Sequence, residues 1–276
     1  MTAPHPLVHA SVFAPDPRTR GAGGGLMDPL GRALSAEWLK TRRTLALLMT
    51  LIAPAIIAIL QVAMFLENRE FYIKNAEQNH WLTLSQNSMI FWALLMLPLF
   101  ATLETALLSG LEYGRRNWTL LYALPVPRWA YYAAKELISL GLIGLSTMVM
   151  VGLILLDGLF LQAIDPAYRL LPGLIPWGAL VKGYTLIYLG AFLIVSIHLW
   201  VSSRWPSFVV ALGVGIGATV TGILIFQSEW ARFYPWTMPG LLALNTVGRG
   251  ADLSMPIPAF LALGVGARRF DADPWS

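Results

Sequence analysis

Acidic side chains and histidines are the groups with which this chain could do chemistry, and their spacing sets the first limits. Glu104 stands in an apolar stretch and Glu112 just after it, eight residues on and so on nearly the same helical face. A histidine can serve as a pH-sensitive group, but His198 has no second metal ligand near it in sequence, so it reads as a structural residue. His-Glu-x-x-His, which places two zinc ligands and a base on one helix face, is absent. So is G-x-x-x-x-G-K-[ST], the loop whose backbone N–H groups cradle nucleotide phosphates. Gly213-Val-Gly-Ile-Gly217 is no dinucleotide fingerprint, because no strand–turn–helix pattern surrounds it. There is no cysteine, which removes disulfides, thiolate zinc sites and a cysteine nucleophile. No catalytic cluster remains. Glu104 stands alone, either as a cavity or relay residue or as a buried carboxyl at a helix contact.

The elements that must position these residues are apolar. The chain is 57% hydrophobic and 12% charged, well below the usual share of charge in soluble domains. Stretches 44–66, 88–111, 137–156, 183–200 and 207–226 each hold about 18 residues or more, enough at ~1.5 Å per residue to cross a ~30 Å hydrocarbon core. Inside lipid the backbone must satisfy its own hydrogen bonds, so each is predicted to be a helix. A sixth stretch, 256–267, makes only roughly 18 Å of helix and must thin the bilayer, lean on its neighbours, or begin earlier through 241–247. The fold class is an all-α polytopic membrane protein with six transmembrane helices, the sixth short.

Charge sets the topology. Thirteen of the nineteen Lys and Arg residues fall before the first stretch, between the second and third, between the fourth and fifth, or after the sixth. Five lie on the opposite side, and Lys182 marks the outer edge of the fourth stretch, where it snorkels. The positive-inside rule places both termini in the cytoplasm. The net charge of +4 is therefore topological and does not mark a nucleic-acid face. Residues 1–29, rich in Pro and Gly and without a signal-peptide apolar core, read as a disordered cytoplasmic tail. Residues 30–271 form one membrane domain, and 272–276 a short tail.

Smaller elements flank the spans. Leu30, Leu34 and Trp38 recur at i, i+4 and i+8, while Glu37, Lys40 and Arg42 fall largely elsewhere, the pattern of a helix lying in the membrane interface. Lys40, Arg42 and Arg43 anchor the first span. Pro54 is placed to kink that span. After the second span, Trp118, Leu121 and Tyr122 mark a short amphipathic helix that Pro125 and Pro127 stop. Such a face needs a groove to bury it, in the membrane surface or in a partner. Asp157 and Asp165 are expected in the third outer connection. Gly213, Gly215 and Gly217 suit close packing. Trp177, Trp200, Trp205, Trp230 and Trp236 are expected in aromatic belts.

The loop resembles that of the membrane subunits of ABC-2 type transporters, and is most similar to permeases of the lantibiotic-immunity and multidrug export group. An acidic residue after the second span, a short coupling helix, a Leu-Pro-Val-x-Arg-like element and a downstream Lys are matched by Glu112, Asn117–Leu124, Leu124-Pro125-Val126-Pro127-Arg128 and Lys135. Glu37-Trp38-Leu39-Lys40 with Arg42-Arg43 resembles the family's elbow helix, Tyr234-Pro235-Trp236 its outer segment, and Arg268-Arg269-Phe270-Asp271 its closing run. The sixth span is shorter than the family's. The resemblance implies an exporter permease in the bacterial inner membrane. It would be paired with a second copy or a homologous permease and surrounded by lipid. Separate ATP-binding cassette subunits would hold ATP and Mg and dock on the coupling helix, leaving this chain with no cofactor or catalytic residue of its own. A non-transporting immunity or scaffold protein is the alternative, with an intramembrane hydrolase behind it for want of clustered acids, His-Glu or Ser/His pairs.

Overall fold

The computed structural model describes residues 27–74, 79–113, 127–170, 174–205 and 207–246. Every regular element among the described residues is helical. Helix α1, Met27–Thr41, leads through a three-residue turn into α2, Leu45–Glu67, which runs unbroken through Pro54. A short α3, Arg69–Lys74, follows. Helices α4, His80–Phe91, and α5, Leu97–Tyr113, are one continuous rod joined by a π-helical turn, Trp92–Met96. The turn has a local cause. Pro98 lacks an N–H and its ring crowds the carbonyl of Leu94, so the preceding turn widens. Then come α6, Arg128–Ile164, α7, Trp177–Arg204, α8, Phe208–Ile225, and α9, Met238–Thr246.

Five of these rods are long and apolar enough to cross a membrane: α2, α4–α5, α6, α7 and α8. They coincide with the five strong apolar stretches but run further. Helix α6 extends over 37 residues, about 55 Å by helical rise, so both of its ends project beyond a ~30 Å core. Large side chains such as Ile59, Met148, Val209 and Leu224 point outward, as they must toward lipid. Residues 247–276, with the short sixth stretch and the closing arginines, lie outside the described residues, as do residues 1–26.

In lipid, apolar burial gives helices little reason to associate, so close packing and interhelical hydrogen bonds carry the bundle. Helices α2 and α6 run parallel, fixed near one end by Ser146 donating to the Thr50 carbonyl at 2.9 Å. Toward the other end the Tyr168 hydroxyl donates to the Phe65 carbonyl at 2.9 Å. Trp81 Nε1 donates to the Leu170 carbonyl at 2.7 Å, and a Cβ on Gly158 would run into the Trp81 ring. Of Gly213, Gly215 and Gly217 in α8, Gly215 alone makes a close approach: a Cβ there would collide with Thr102, whereas Gly213 and Gly217 face open space. Helix α9 packs against α7, with Pro239 against Gly190 and with Leu241, Leu242 and Ala243 buried. The 241–247 stretch thus begins as a helix tucked into the bundle.

Two expected positions are corrected. Asp157 lies within α6, buried, and not in a connection, because the helix continues past the apolar stretch to Ile164. Trp236 is buried and not at a membrane boundary, because its ring packs edge-on against His198 at 5.3 Å. Trp177, Trp200, Trp205 and Trp230 are exposed. So is Lys182.

Candidate functional site

Two of the residues singled out by sequence, Lys40 and Lys135, come together where α1 meets the end of α5 and the start of α6. Helix α1 packs along α6. Its buried face is Ala33, Glu37 and Thr41, and on α6 Ala130 and Ala134 are fully buried. The Leu30–Leu34–Trp38 stripe turns the other way: Leu30 and Leu34 are half-buried and Trp38 is exposed, with Leu39 beside it. The helix therefore has two uses for its two faces, an apolar outer one and a polar inner one against the bundle. Arg42 and Arg43 are exposed in the turn that follows.

Tyr131, in the first turn of α6, holds this corner together. Lys135 Nζ lies 5.1 Å from its ring centroid and Lys40 Nζ of α1 lies 5.2 Å from it. An ammonium group near an aromatic ring is attracted by the ring quadrupole, more strongly where water is excluded. Lys135 is buried and also donates to the Leu108 carbonyl of α5 at 3.4 Å. Lys40 is bound by Glu37 at 2.6 Å, and buried Glu37 so offsets one of the two positive charges. The Tyr131 hydroxyl is buried without a hydrogen-bond partner among the described residues, so the ring is the part in use. One aromatic residue thus joins α1, α5 and α6.

Deeper in the bundle a polar layer follows. The Glu104 carboxyl is fully enclosed, and neither oxygen makes a well-formed hydrogen bond among the described residues, with the Ser139 hydroxyl of α6 as its polar neighbour. Buried Glu136 accepts from Ser196 of α7 at 2.8 Å. The Thr102 hydroxyl gives its one proton to the Pro98 carbonyl at 2.8 Å, so at 3.0 Å it accepts from His198 Nε2–H. This arrangement is that of the Nε2–H tautomer, and Nδ1 has no hydrogen-bond partner among the described residues. Gly215 lets α8 close on this pair. His198 is a packing residue, as its isolation in sequence implied.

At the opposite end, eleven residues beyond the Thr50–Ser146 contact on each parallel helix, stand Gln61 and Asp157 at one height. Both amide atoms of Gln61 and one carboxyl oxygen of Asp157 lack partners among the described residues. Outside the spans, Asp165 accepts from Arg69 Nε at 2.8 Å and from the Ala167 N–H at 2.9 Å. The Ala167 N–H first, and Arg69 second, hold its carboxyl below the usual carboxylate range. Tyr72 stacks on Phe65 at 4.0 Å, and burial raises its hydroxyl pKa.

Residues 33–222 match the family described as ABC-2 family transporter protein. The chain belongs to that family. It is a multi-pass membrane permease, a transport component and not itself a catalyst, and membership implies association with ATP-binding cassette subunits. No curated protein and no solved structure matches the chain.

Of the positions predicted for this ABC-2 permease, the structure brings Lys40 and Lys135 together and sets Glu104 in the same α5–α6 seam. Glu112 lies in the last turn of α5 and Arg128 begins α6. Asn117, Trp118, Leu121, Tyr122 and Pro125 lie outside the described residues. Sequence reasoning passed over Tyr131. Its spacing from Lys135, i to i+4 on one helix, was a readable signal. Its contact with Lys40, ninety-one residues away, left none.

Proposed function

We propose that this permease forms half of the translocation path of an ABC exporter for amphipathic peptides, lipids or hydrophobic drugs. Separate ATP-binding subunits, holding ATP and Mg, drive it, and a second copy or a homologous permease completes the path. The family match carries the reading, because it runs from inside α1 to the last turns of α8 and so takes in all five spans. The chain carries no phosphate-binding loop, in keeping with an ATPase on another chain. The excess of Lys and Arg at the α1 end supports a cytoplasmic amino terminus in a bacterial inner membrane. The segment between α5 and α6 is the ATPase dock: Asn117, Trp118, Leu121 and Tyr122 present its helix, Pro125 stops it, and Glu112, Arg128 and Lys135 hold its ends. Leu34, Trp38, Lys40, Arg42 and Arg43 serve the elbow. Glu104, buried near Ser139 of α6, is the residue assigned to the interior of the path.

The test is recovery of the ATP-binding subunit with tagged permease from the native membrane. Trp118→Asp and Leu121→Asp each place a charge on the docking face, and both are expected to abolish recovery while the permease stays in the membrane. Undiminished recovery with both variants moves the dock elsewhere.

A further inference from the structure

We propose that Tyr131 is a positioning residue that ties α1 to the ends of α5 and α6 flanking the proposed ATPase dock, so that ATP-driven movement of those helix ends reaches α1. The inference rests on the ATPase-docking reading above. It starts from where the segment is anchored. Residues 114–126 leave α5 five residues after Leu108 and re-enter the described chain four residues before Tyr131. Lys135 spans the two anchors, with its ammonium on the Leu108 carbonyl and beside the Tyr131 ring. A displacement of the first turn of α6 is therefore shared with the end of α5.

The same ring is held by Lys40, whose ammonium is fixed by Glu37 on the buried face of α1. Ala33, Ala130 and Ala134 keep α1 and α6 close enough for that contact. Helix α1 continues into α2 after Arg42, Arg43 and Thr44, and α2 packs along α6 for most of its length. Movement passed to α1 is therefore passed on to α2. The attraction between ring and ammonium has no bond to break, so the joint can slide and re-form as the corner opens. Because the Tyr131 hydroxyl bonds nothing among the described residues, the ring alone makes the joint, which separates the proposal from a hydrogen-bonding role.

The test uses the full permease with its ATP-binding subunit in nanodiscs. The chain has no native cysteine, so spin labels go on Ser35→Cys in α1 and Ser228→Cys at the far side without further changes. Both serines are exposed. The distance between them is measured without nucleotide and with ATP and vanadate. The wild-type background and Tyr131→Phe are expected to show the same nucleotide-dependent change. Tyr131→Leu is expected to abolish it with ATP binding intact. Lys40→Gln, which leaves the α6 core untouched, is expected to do the same. A change that persists in Tyr131→Leu and Lys40→Gln, or that vanishes in Tyr131→Phe, overturns the joint alone. No change in the wild-type background, or no complex at all, overturns the docking reading and the joint with it.

Discussion

Asp165 illustrates how single residues fasten the end of the bundle away from α1. Its carboxylate caps the turn after α6 through the Ala167 N–H and grips Arg69 beyond α2. Both contacts favour the charged form, so its folded pKa lies below its unfolded one. The contribution to stability is therefore present above the ordinary carboxylate range and is lost as pH falls through the lowered folded value. Asp165 is only half-buried and its partner Arg69 is exposed, so the effect is small. Asp165→Asn is expected to lower the unfolding temperature of the purified permease slightly at pH 7, with the gap closing in acid. A gap that stays constant with pH would assign the loss to packing and not to charge. The Thr102–His198 pair differs in kind. It is buried within the bundle and joins α5 to α7 through one hydrogen bond between side chains.

At the scale of elements, the spans are held by close approach more than by apolar burial. Helix α8 is the sparest case, with most of its surface turned outward and Gly215 as its tightest contact with α5 and α7. Gly215→Ala drives a methyl group into Thr102 and the His198 ring, and is expected to cost about 1–3 kcal/mol through overpacking. Gly213→Ala meets nothing and is expected to be neutral or to stabilise by up to about 1 kcal/mol through helix propensity. Thermal unfolding of the two variants in detergent checks the contrast, and equal effects would remove Gly215 from the seam. Helix α1 belongs to the same scale. Its Leu/Trp stripe predicted an interfacial helix; in the fold it is a packing element against α6, with Ala33, Glu37 and Thr41 buried.

For the whole molecule the open quantity is sidedness. Ser35 of α1 and Glu70 of α3 are both exposed, and α2 separates them. With no cysteine in the chain, Ser35→Cys and Glu70→Cys each carry one thiol. A membrane-impermeant maleimide applied to intact cells is expected to label Glu70→Cys and to reach Ser35→Cys only after permeabilisation. The reverse pattern would place the amino terminus outside and the coupling segment with it, beyond reach of a cytoplasmic ATPase.

The five spans were legible in sequence because lipid judges each segment by itself. A long apolar run must close its own backbone hydrogen bonds, whatever its neighbours do. That the chain has no G-x-x-x-x-G-K-[ST] motif was legible for the same reason, since that is a local pattern. The span ends were less so: α6 continues through Asp157 because flanking helices bury a carboxyl that hydropathy alone puts in a connection. Trp236 went inward, Gly215 made a contact that Gly213 and Gly217 did not, and Lys40 reached Tyr131 through the rotation and register of one helix against another. Those are fixed by packing and by a few interhelical bonds between residues far apart in the chain, so tertiary structure alone could decide them.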